Sequence, residues 1–430
     1  MKPISLGIDD GSRYQVCEEA ETIRAILHHG RPRDVLAGGH VADSAAAQAE
    51  EALGRWIALG LPFRGGRTRS FDFFQVLNFM VRAGRESGDP WYEEGPVRTF
   101  RREAAELAGT AEGTRFLVRL RREFHVPAGS PARLRVPLPL DDPSQADVVA
   151  TLIAPDPAAV EAVRGPGRIE VRLPPSPAPA VVAVEVDIRL TWVARPIPFD
   201  PAGLEPWDES DPEYQLHTRS SEGWIQVTDE VARLAGTLVG GARDAWATLR
   251  AFWRFFFERM ASGRIHHDEL DAGDRLGSLA ARGWFDCLAG SSLLAALCRA
   301  RGIPARVVNG FTLYPAIPSN HYWVEVLLPP FGWIPLDLAS WDLAAGLGPE
   351  SAWGEHYLGR LDPRLTCQRF PRQITGPVGV RFPAAWYSLP RVRDGGLEAS
   401  YFALDSGTLL QRDWIRVRRE PPGAAGVIRP

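Results

Sequence analysis

The chain has 430 residues, 45% of them hydrophobic and 24% charged, with a net charge of −4. This is ordinary composition for a globular protein of two to four domains. The lack of a long basic run argues against nucleic acid or an anionic membrane as partner, and no apolar run of about 18 residues predicts a membrane span.

Residues 1–95 read as a helical N-terminal region. "DSAAAQAEEALGRWIALGL" opens on an N-cap, Asp43, and spaces its apolar residues by three and four. "SFDFFQVLNFMVRAG", Ser70 to Gly84, repeats the pattern and ends on glycine. The intervening "GGRTRS" lacks the lysine and spacing of a phosphate loop. Residues 96–197 alternate apolar and charged side chains, as in "TRFLVRLRREFHV" and "VVAVEVDIRLTWV", which predicts an antiparallel β-domain. "LPPSPAPA" fits a loop between two strands, and "RPIPFDPAGLEPWDESDPEY" a linker. Residues 198–361 return to helical spacing, with Trp246, Phe252, Phe255 and Phe256 forming a stripe that should face a core. Residues 362–430 carry strand-like "LEASYFAL" and "DWIRVRR" around the turn "DSGT", a C-terminal β-hairpin extension returning to a sheet. The overall expectation is an α+β fold.

The chemistry concentrates in "RGWFDCLAGSSLLAALCRARGIPARVVNGF", Arg282 to Phe311. Asp286 is a favoured N-cap, while Gly302 and Pro304 signal a stop, so a helix is predicted from about Asp286 to Arg301. Cys287 then stands in its first turn. The helix dipole there favours an anion, so its thiol pKa is expected to be lowered, and free backbone N–H groups suit an oxyanion. A buried, inert thiol is the plain alternative. Cys298 lies eleven residues on, about 16 Å along the axis, too far for a disulfide with Cys287. Cys298, Cys17 and Cys367 read as core thiols. With no CxxC or Cys/His spacing and no secretory h-region in "MKPISLGIDDGSRYQVCEEAE", free thiols in a reducing cytoplasm are expected, with no metal and no cofactor. The pairs His28–His29 and His266–His267 are adjacent, and neighbours on one element point apart.

A thiolate nucleophile needs a base, and the base an orienter. "SNHYWVEVLLPPFGWIPLDLAS" supplies candidates for both. His321 opens an alternating run, "PPFG" is a turn signal, and a second run carries Asp337. If the runs pair as a hairpin, the even separation of sixteen makes His321 and Asp337 opposite or diagonal neighbours. Pro335 suggests an edge strand or a bulge there.

These residues resemble the transglutaminase-like superfamily of papain-type cysteine enzymes, in its bacterial form. The likeness rests on Cys287 followed by "LLAALCRARGIPAR", on Asn320 and His321 before "WVEV", and on Gly332, Trp333, Pro335 and Asp337. It covers about Tyr214 to Gly359, and the β-region before it is similar to the β-domain preceding the core in many bacterial members. The resemblance implies a papain-like catalytic core, with Cys287 as nucleophile, His321 as general base and acid, and Asp337 as orienter of the imidazole. It differs from the family around the oxyanion site, where "IHHD" replaces a segment that often holds a tyrosine. His267 is a candidate oxyanion donor in its place, or faces solvent. Trp284, Trp323 and Trp333 are candidates for the walls of the acyl site, or for core packing. The implied reaction passes through a thioester formed from a peptide, protein or small-molecule acyl donor. Hydrolysis is the first reading, transfer to an amine acceptor the second, and a non-catalytic binding or scaffold protein the third.

Overall fold

An amphipathic helix is stable where its apolar stripe is covered. At the start of the chain α1 (Glu19–Gly30) and α2 (Asp43–Ala58) cover one another, burying Ile26, Leu27, Ala52, Leu53 and Trp56 in a small core of their own. The computed structural model describes residues 16–30, 43–65, 68–72, 74–80, 96–108, 110, 112–129, 131–156, 160–165, 167–193, 200–241, 244–344, 356–369, 386–393, 396–403 and 409–420. Strands β1 (Val16–Glu18) and β2 (Ser70–Asp72) pair antiparallel beside the two helices. The second helical pattern therefore begins later than its spacing suggests. Ser70–Asp72 is strand, and helical backbone starts at Phe74, where the Asp72 carboxylate accepts the N–H groups of Phe74 at 2.7 Å and Gln75 at 3.2 Å. Residues 81–84 of that stretch, and the side chain of Cys17, lie outside the described residues.

The β-domain opens with a helix that alternation does not reveal, α3 (Pro96–Ala108), which buries Phe100, Ala104 and Leu107. Strand β3 (Arg115–Val126) then puts every second residue inside, from Phe116 to Val126. It is central to a six-stranded antiparallel sheet. Going outward, β3 pairs on one side with β8 (Ala180–Trp192), and β8 with β5 (Gln145–Ala154). A second sheet, β4 (Ala132–Pro137), β7 (Arg168–Leu173) and β6 (Glu161–Gly165), adds Leu134, Val136, Ile169 and Val171 to the same core.

The region that holds Cys287, His321 and Asp337 begins after a short helix, α4 (Pro212–His217), and a two-residue strand pair, β9 (Ser221–Glu222) and β10 (Ile225–Gln226). Helices α5 (Asp229–Val239), α6 (Ala245–Arg259) and α7 (Arg275–Arg282) start on the N-caps Thr228, Asp244 and Asp274. The aromatic stripe of α6 packs as expected, with Phe252, Phe255 and Phe256 buried and Trp246 partly so. Strands β11 (Ala261–Ser262) and β12 (Trp284–Phe285) run parallel and lead into α8 (Cys287–Arg299). That helix is buried along its length from Leu288 to Arg299. It ends two residues before the predicted stop, because Gly302 at φ 68° turns the chain and the Ile303 N–H returns to the Cys298 carbonyl at 3.0 Å.

Beneath α8 lies a four-stranded antiparallel sheet, in the order β15 (Gly332–Leu336), β14 (Asn320–Leu328), β13 (Ala305–Thr312) and β16 (Arg364–Arg369). Helix α9 (Leu338–Ala344) follows β15. Residues 362–430 thus contribute to two sheets. β16 completes the four-stranded sheet, while β17 (Trp386–Arg393), β18 (Gly396–Ala403) and β19 (Leu409–Glu420) extend the β-domain, with β19 pairing along β3. The junction is tied by a buried ion pair, Arg122 to Asp413, whose two contacts are 2.6 Å each. Among the described residues, no helix is long and apolar enough to cross a membrane.

Candidate active site

The first turn of α8 is held by its cap. Asp286 Oδ1 accepts the Ala289 N–H at 2.8 Å, and Asp286 Oδ2 lies 2.5 Å from His267 Nε2. Gly290 lets this turn approach Phe285, since a Cβ there would meet the Phe285 ring at 2.3 Å. Cys287 is a free, partly buried thiol, and its sulfur accepts the backbone N–H of Tyr322. Burial, and next the Asp286 carboxylate, push this thiol well above the ordinary range. The expectation of a lowered pKa is thereby corrected. The helix end offers only about half a positive charge, whereas desolvation of the anion and a full negative charge on the neighbouring residue both oppose it.

On the sheet, β14 and β15 form the predicted hairpin, with Val324 opposite Leu336 and Glu325 opposite Pro335. Asp337 follows directly, and its Oδ2 lies 2.8 Å from His321 Nε2. Pro335 sits on the edge strand, as a residue without an N–H should. Burial alone would raise the Asp337 carboxyl, but Arg364 and His321 outweigh it and hold the group well below the usual carboxylate range. Asp337 also accepts the Ser340 N–H at 2.9 Å. An ionised carboxylate can only accept, so the neutral imidazole carries its proton on Nε2 and Nδ1 is left as the basic nitrogen.

Arg364 supports this pair from β16. Its guanidinium contacts Asp337, reaches Asp362 Oδ1 at 2.8 Å and donates to Ser340 Oγ at 3.1 Å. It also lies 5.3 Å from the centre of the Trp323 ring. Asp362 is pushed up, because burial outweighs the attraction of Arg364, and its Oδ2 accepts the phenols of Tyr314 and Tyr357. Gly310 makes the close crossing of β13 and β16 possible: a Cβ there would stand 1.8 Å from the Leu365 carbonyl oxygen. Sequence reasoning missed Arg364 and Asp362, since "RLDPRLTC" carries no motif and the contacts are long-range. It also passed over Tyr322, which stands between His321 and Trp323.

The remaining candidates are placed as follows. His267 is neither solvent-facing nor aimed at an oxyanion by its Nε2, which is held on Asp286, and its ring meets Trp224 edge-on at 4.7 Å. His266 points the other way, to Asp72 at 2.8 Å, with its ring stacked on Phe74 at 4.5 Å. Trp284 packs toward the N-terminal helices, 6.4 Å from Phe79. Trp323 is fully buried and backs the His321 ring at 6.4 Å, so it is packing rather than a wall of the acyl site. Trp333 lies beneath the Arg306 guanidinium at 3.8 Å and the edge of His217 at 4.8 Å, apart from the triad candidates. Asn78 brackets the backbone of Arg264 with hydrogen bonds of 2.7 and 2.8 Å, docking the N-terminal helices onto the segment that runs beside β12. No group of three or more His, Cys, Asp or Glu among the described residues is arranged to hold a metal ion.

The model of the transglutaminase-like superfamily matches residues 232–338, a span that holds Cys287, His321 and Asp337. This is a transglutaminase-like core. Around it the chain has the α+β architecture just described. Among solved structures, a candidate cysteine protease of Cytophaga hutchinsonii is 14% identical, with 72% of this chain and 99% of that chain covered and a TM-score of 0.47. The periplasmic domain of TgpA from Pseudomonas aeruginosa is 17% identical, with coverages of 61% and 97% and a TM-score of 0.30. A candidate protease of Parabacteroides distasonis is 10% identical, with 70% of each chain covered and a TM-score of 0.23. No curated protein matches the chain.

Proposed function

We propose that the transglutaminase-like core is a cysteine enzyme that forms a thioester from an amide or thioester substrate and resolves it with water, as a peptidase or amidase. One observation carries this reading. The start of α8 meets the start of β14, so that Cys287 Sγ rests on the backbone N–H next in chain to His321, while His321 is paired with an ionised Asp337 at 2.8 Å. Because the thiol is protonated at rest, activation works by general base catalysis rather than from a standing thiolate. His321 Nδ1 takes the proton as the sulfur attacks the acyl carbon. The imidazolium, steadied by Asp337, then protonates the leaving amine or thiol. In the second half His321 takes a proton from water, which attacks the thioester, and returns it to the Cys287 sulfur. We further place the reaction in a reducing cytoplasm, supported by the free thiols at Cys287, Cys298 and Cys367.

The test is alkylation followed by turnover. Iodoacetamide should modify Cys287 in the folded protein while Cys298 and Cys367, which are fully buried, stay protected. His321→Ala should slow the modification. An activated acyl donor should then yield acid with or without a primary amine. Amide appearing in proportion to the amine would replace hydrolysis with transfer, and an unreactive Cys287 would remove the enzyme reading altogether.

A further inference from the structure

In the proposed mechanism His321 must keep one orientation while its Nδ1 takes a proton and gives it back. Asp337 meets the other ring nitrogen at 2.8 Å. One hydrogen bond fixes a distance but not the plane of a ring, so a second partner on that nitrogen would matter.

Ser340 stands where such a partner should. Helix α9 starts directly after Asp337, and that residue caps it. Asp337 Oδ1 accepts the Ser340 N–H at 2.9 Å, and the Asp337 carbonyl accepts the Trp341 N–H at 3.1 Å. The first turn of α9 is thereby wound back over the site, and the buried Ser340 brings its Oγ to 3.4 Å from His321 Nε2. Arg364 Nη2 donates to the same oxygen at 3.1 Å. Arg364 is itself anchored on Asp362 Oδ1 at 2.8 Å and on Asp337, so the oxygen is fixed from β16 as well as from α9. Arginine only donates, and a neutral His321 facing an ionised Asp337 carries its proton on Nε2. Two N–H groups therefore converge on Ser340 Oγ, which has two lone pairs to receive them. The Nε2 proton is shared, chiefly with Asp337 and secondarily with Ser340.

We propose that Ser340 is a positioning residue whose hydroxyl oxygen, held by Arg364, is the second acceptor of the His321 Nε2 proton and fixes the plane of the imidazole. The proposal rests on His321 acting as the base toward Cys287. As Nδ1 takes the thiol proton, the S–H bond breaks and its electron pair forms the S–C bond. The ring becomes a cation, and its Nε2–H becomes a stronger donor. The Ser340 contact therefore strengthens as the proton arrives, while the two N–H groups on Oγ keep the ring from tilting off Asp337.

Alkylation of Cys287 by iodoacetamide reads this role, since His321 takes the thiol proton during attack. Second-order rates are measured near neutral pH on the full chain, with Cys287→Ala as the blank. Each rate is divided by the folded fraction from circular dichroism, so that lost stability does not read as lost reactivity. Ser340→Ala should react about tenfold more slowly, the effect of one hydrogen bond to a charged group at the weak end of its range. Ser340→Thr keeps the oxygen and should stay within about twofold of the wild type. In a His321→Ala background, Ser340→Ala should change the rate by less than about twofold, because no ring is left to position. The proposal is overturned by a wild-type rate in Ser340→Ala, by an equal fall in both backgrounds, which marks a packing role, or by a Ser340→Thr rate as low as that of Ser340→Ala. A His321→Ala chain as reactive as the wild type is a separate result: the base assignment itself is then wrong, and Ser340 falls with it.

Discussion

Arg364→Met is the most informative single perturbation of this site. Arg364 is 2% exposed and its guanidinium lies between two fully or nearly fully buried carboxylates, Asp337 and Asp362. Removing it leaves two like charges in a medium that solvates neither, so the expected cost is about 3–5 kcal/mol, far above the value of a surface pair. Asp362 is already pushed up with Arg364 present, so it is the group that will take a proton when the cation is gone. The sign of the pH dependence follows. In the variant, the folded-state pKa of Asp362 rises further above its unfolded value, so the deficit should be smaller at pH 5 than at pH 8. The variant Arg364→Met with Asp362→Asn removes one charge of each sign and leaves Asp337 with His321 and the Ser340 N–H. Its loss should fall short of the sum of the single losses by at least about 1.5 kcal/mol. Urea unfolding of the four proteins at pH 5 and 8, read as midpoint at constant slope, measures all of this. A single-variant cost below about 1 kcal/mol, or additivity within about 0.5 kcal/mol, would refute the account of Arg364 as the charge that holds the two carboxylates together.

Three further outcomes follow from other parts of the molecule. His217 is pushed down to about 3 by burial and then by Arg306, Arg299 and Arg219, and the exposed Glu213 carboxylate 3.5 Å away does not offset them. The unfolded chain therefore binds a proton below about pH 6.5 that the folded one refuses, and His217→Phe should recover about 2 kcal/mol of the stability lost between pH 6.5 and 5; an unchanged acid limb counts against it. Cys298 and Cys367 are fully buried, and burial pushes both thiols up. Their contribution is complete below the ordinary thiol pKa and is lost above it, so stability should fall by about 2.7 kcal/mol per pH unit beyond about 8.5, a slope that Cys298→Ala with Cys367→Ala should remove. Gly310→Ala should lower the melting temperature sharply because its Cβ would collide with the Leu365 carbonyl, whereas Gly54→Ala, inside α2 with nothing within 4 Å, should raise stability by about 0.5–1 kcal/mol; equal effects would contradict the close crossing of β13 and β16.

The parts of this fold that were legible in the sequence are those fixed by local chemistry. Asp286 marked the start of α8 because a cap is decided within one turn. The spacing of His321 and Asp337 gave their meeting because a short hairpin has few registers. Legibility failed where partners are far apart in the chain. Alternation in β19 showed a strand but could not show that it pairs with β3, and nothing near Arg364 announces Asp337. The strand at Ser70–Asp72 was hidden because its partner lies at the start of the chain and its apolar spacing also suits a helix.

The thiol at 287 shows a different kind of failure, one of magnitude rather than distance. The carboxylate of Asp286 was the evidence for a helix start, and a helix start argued for a stabilised thiolate. Yet the same carboxylate is a full negative charge on the residue before the sulfur, and it opposes the anion that the dipole favours. Two N–H groups and His267 keep that carboxylate ionised, against the burial that would protonate it. A resting thiol is the consequence, and it changes the task that the proposed mechanism gives to His321. An enzyme with a standing thiolate needs its histidine chiefly to protonate the leaving group, whereas in the mechanism proposed above the imidazole also removes the sulfur's proton during attack. The buried arrangement of Asp337 and Arg364 suits that task, since an imidazolium formed next to a firmly ionised carboxylate is stabilised when the proton arrives.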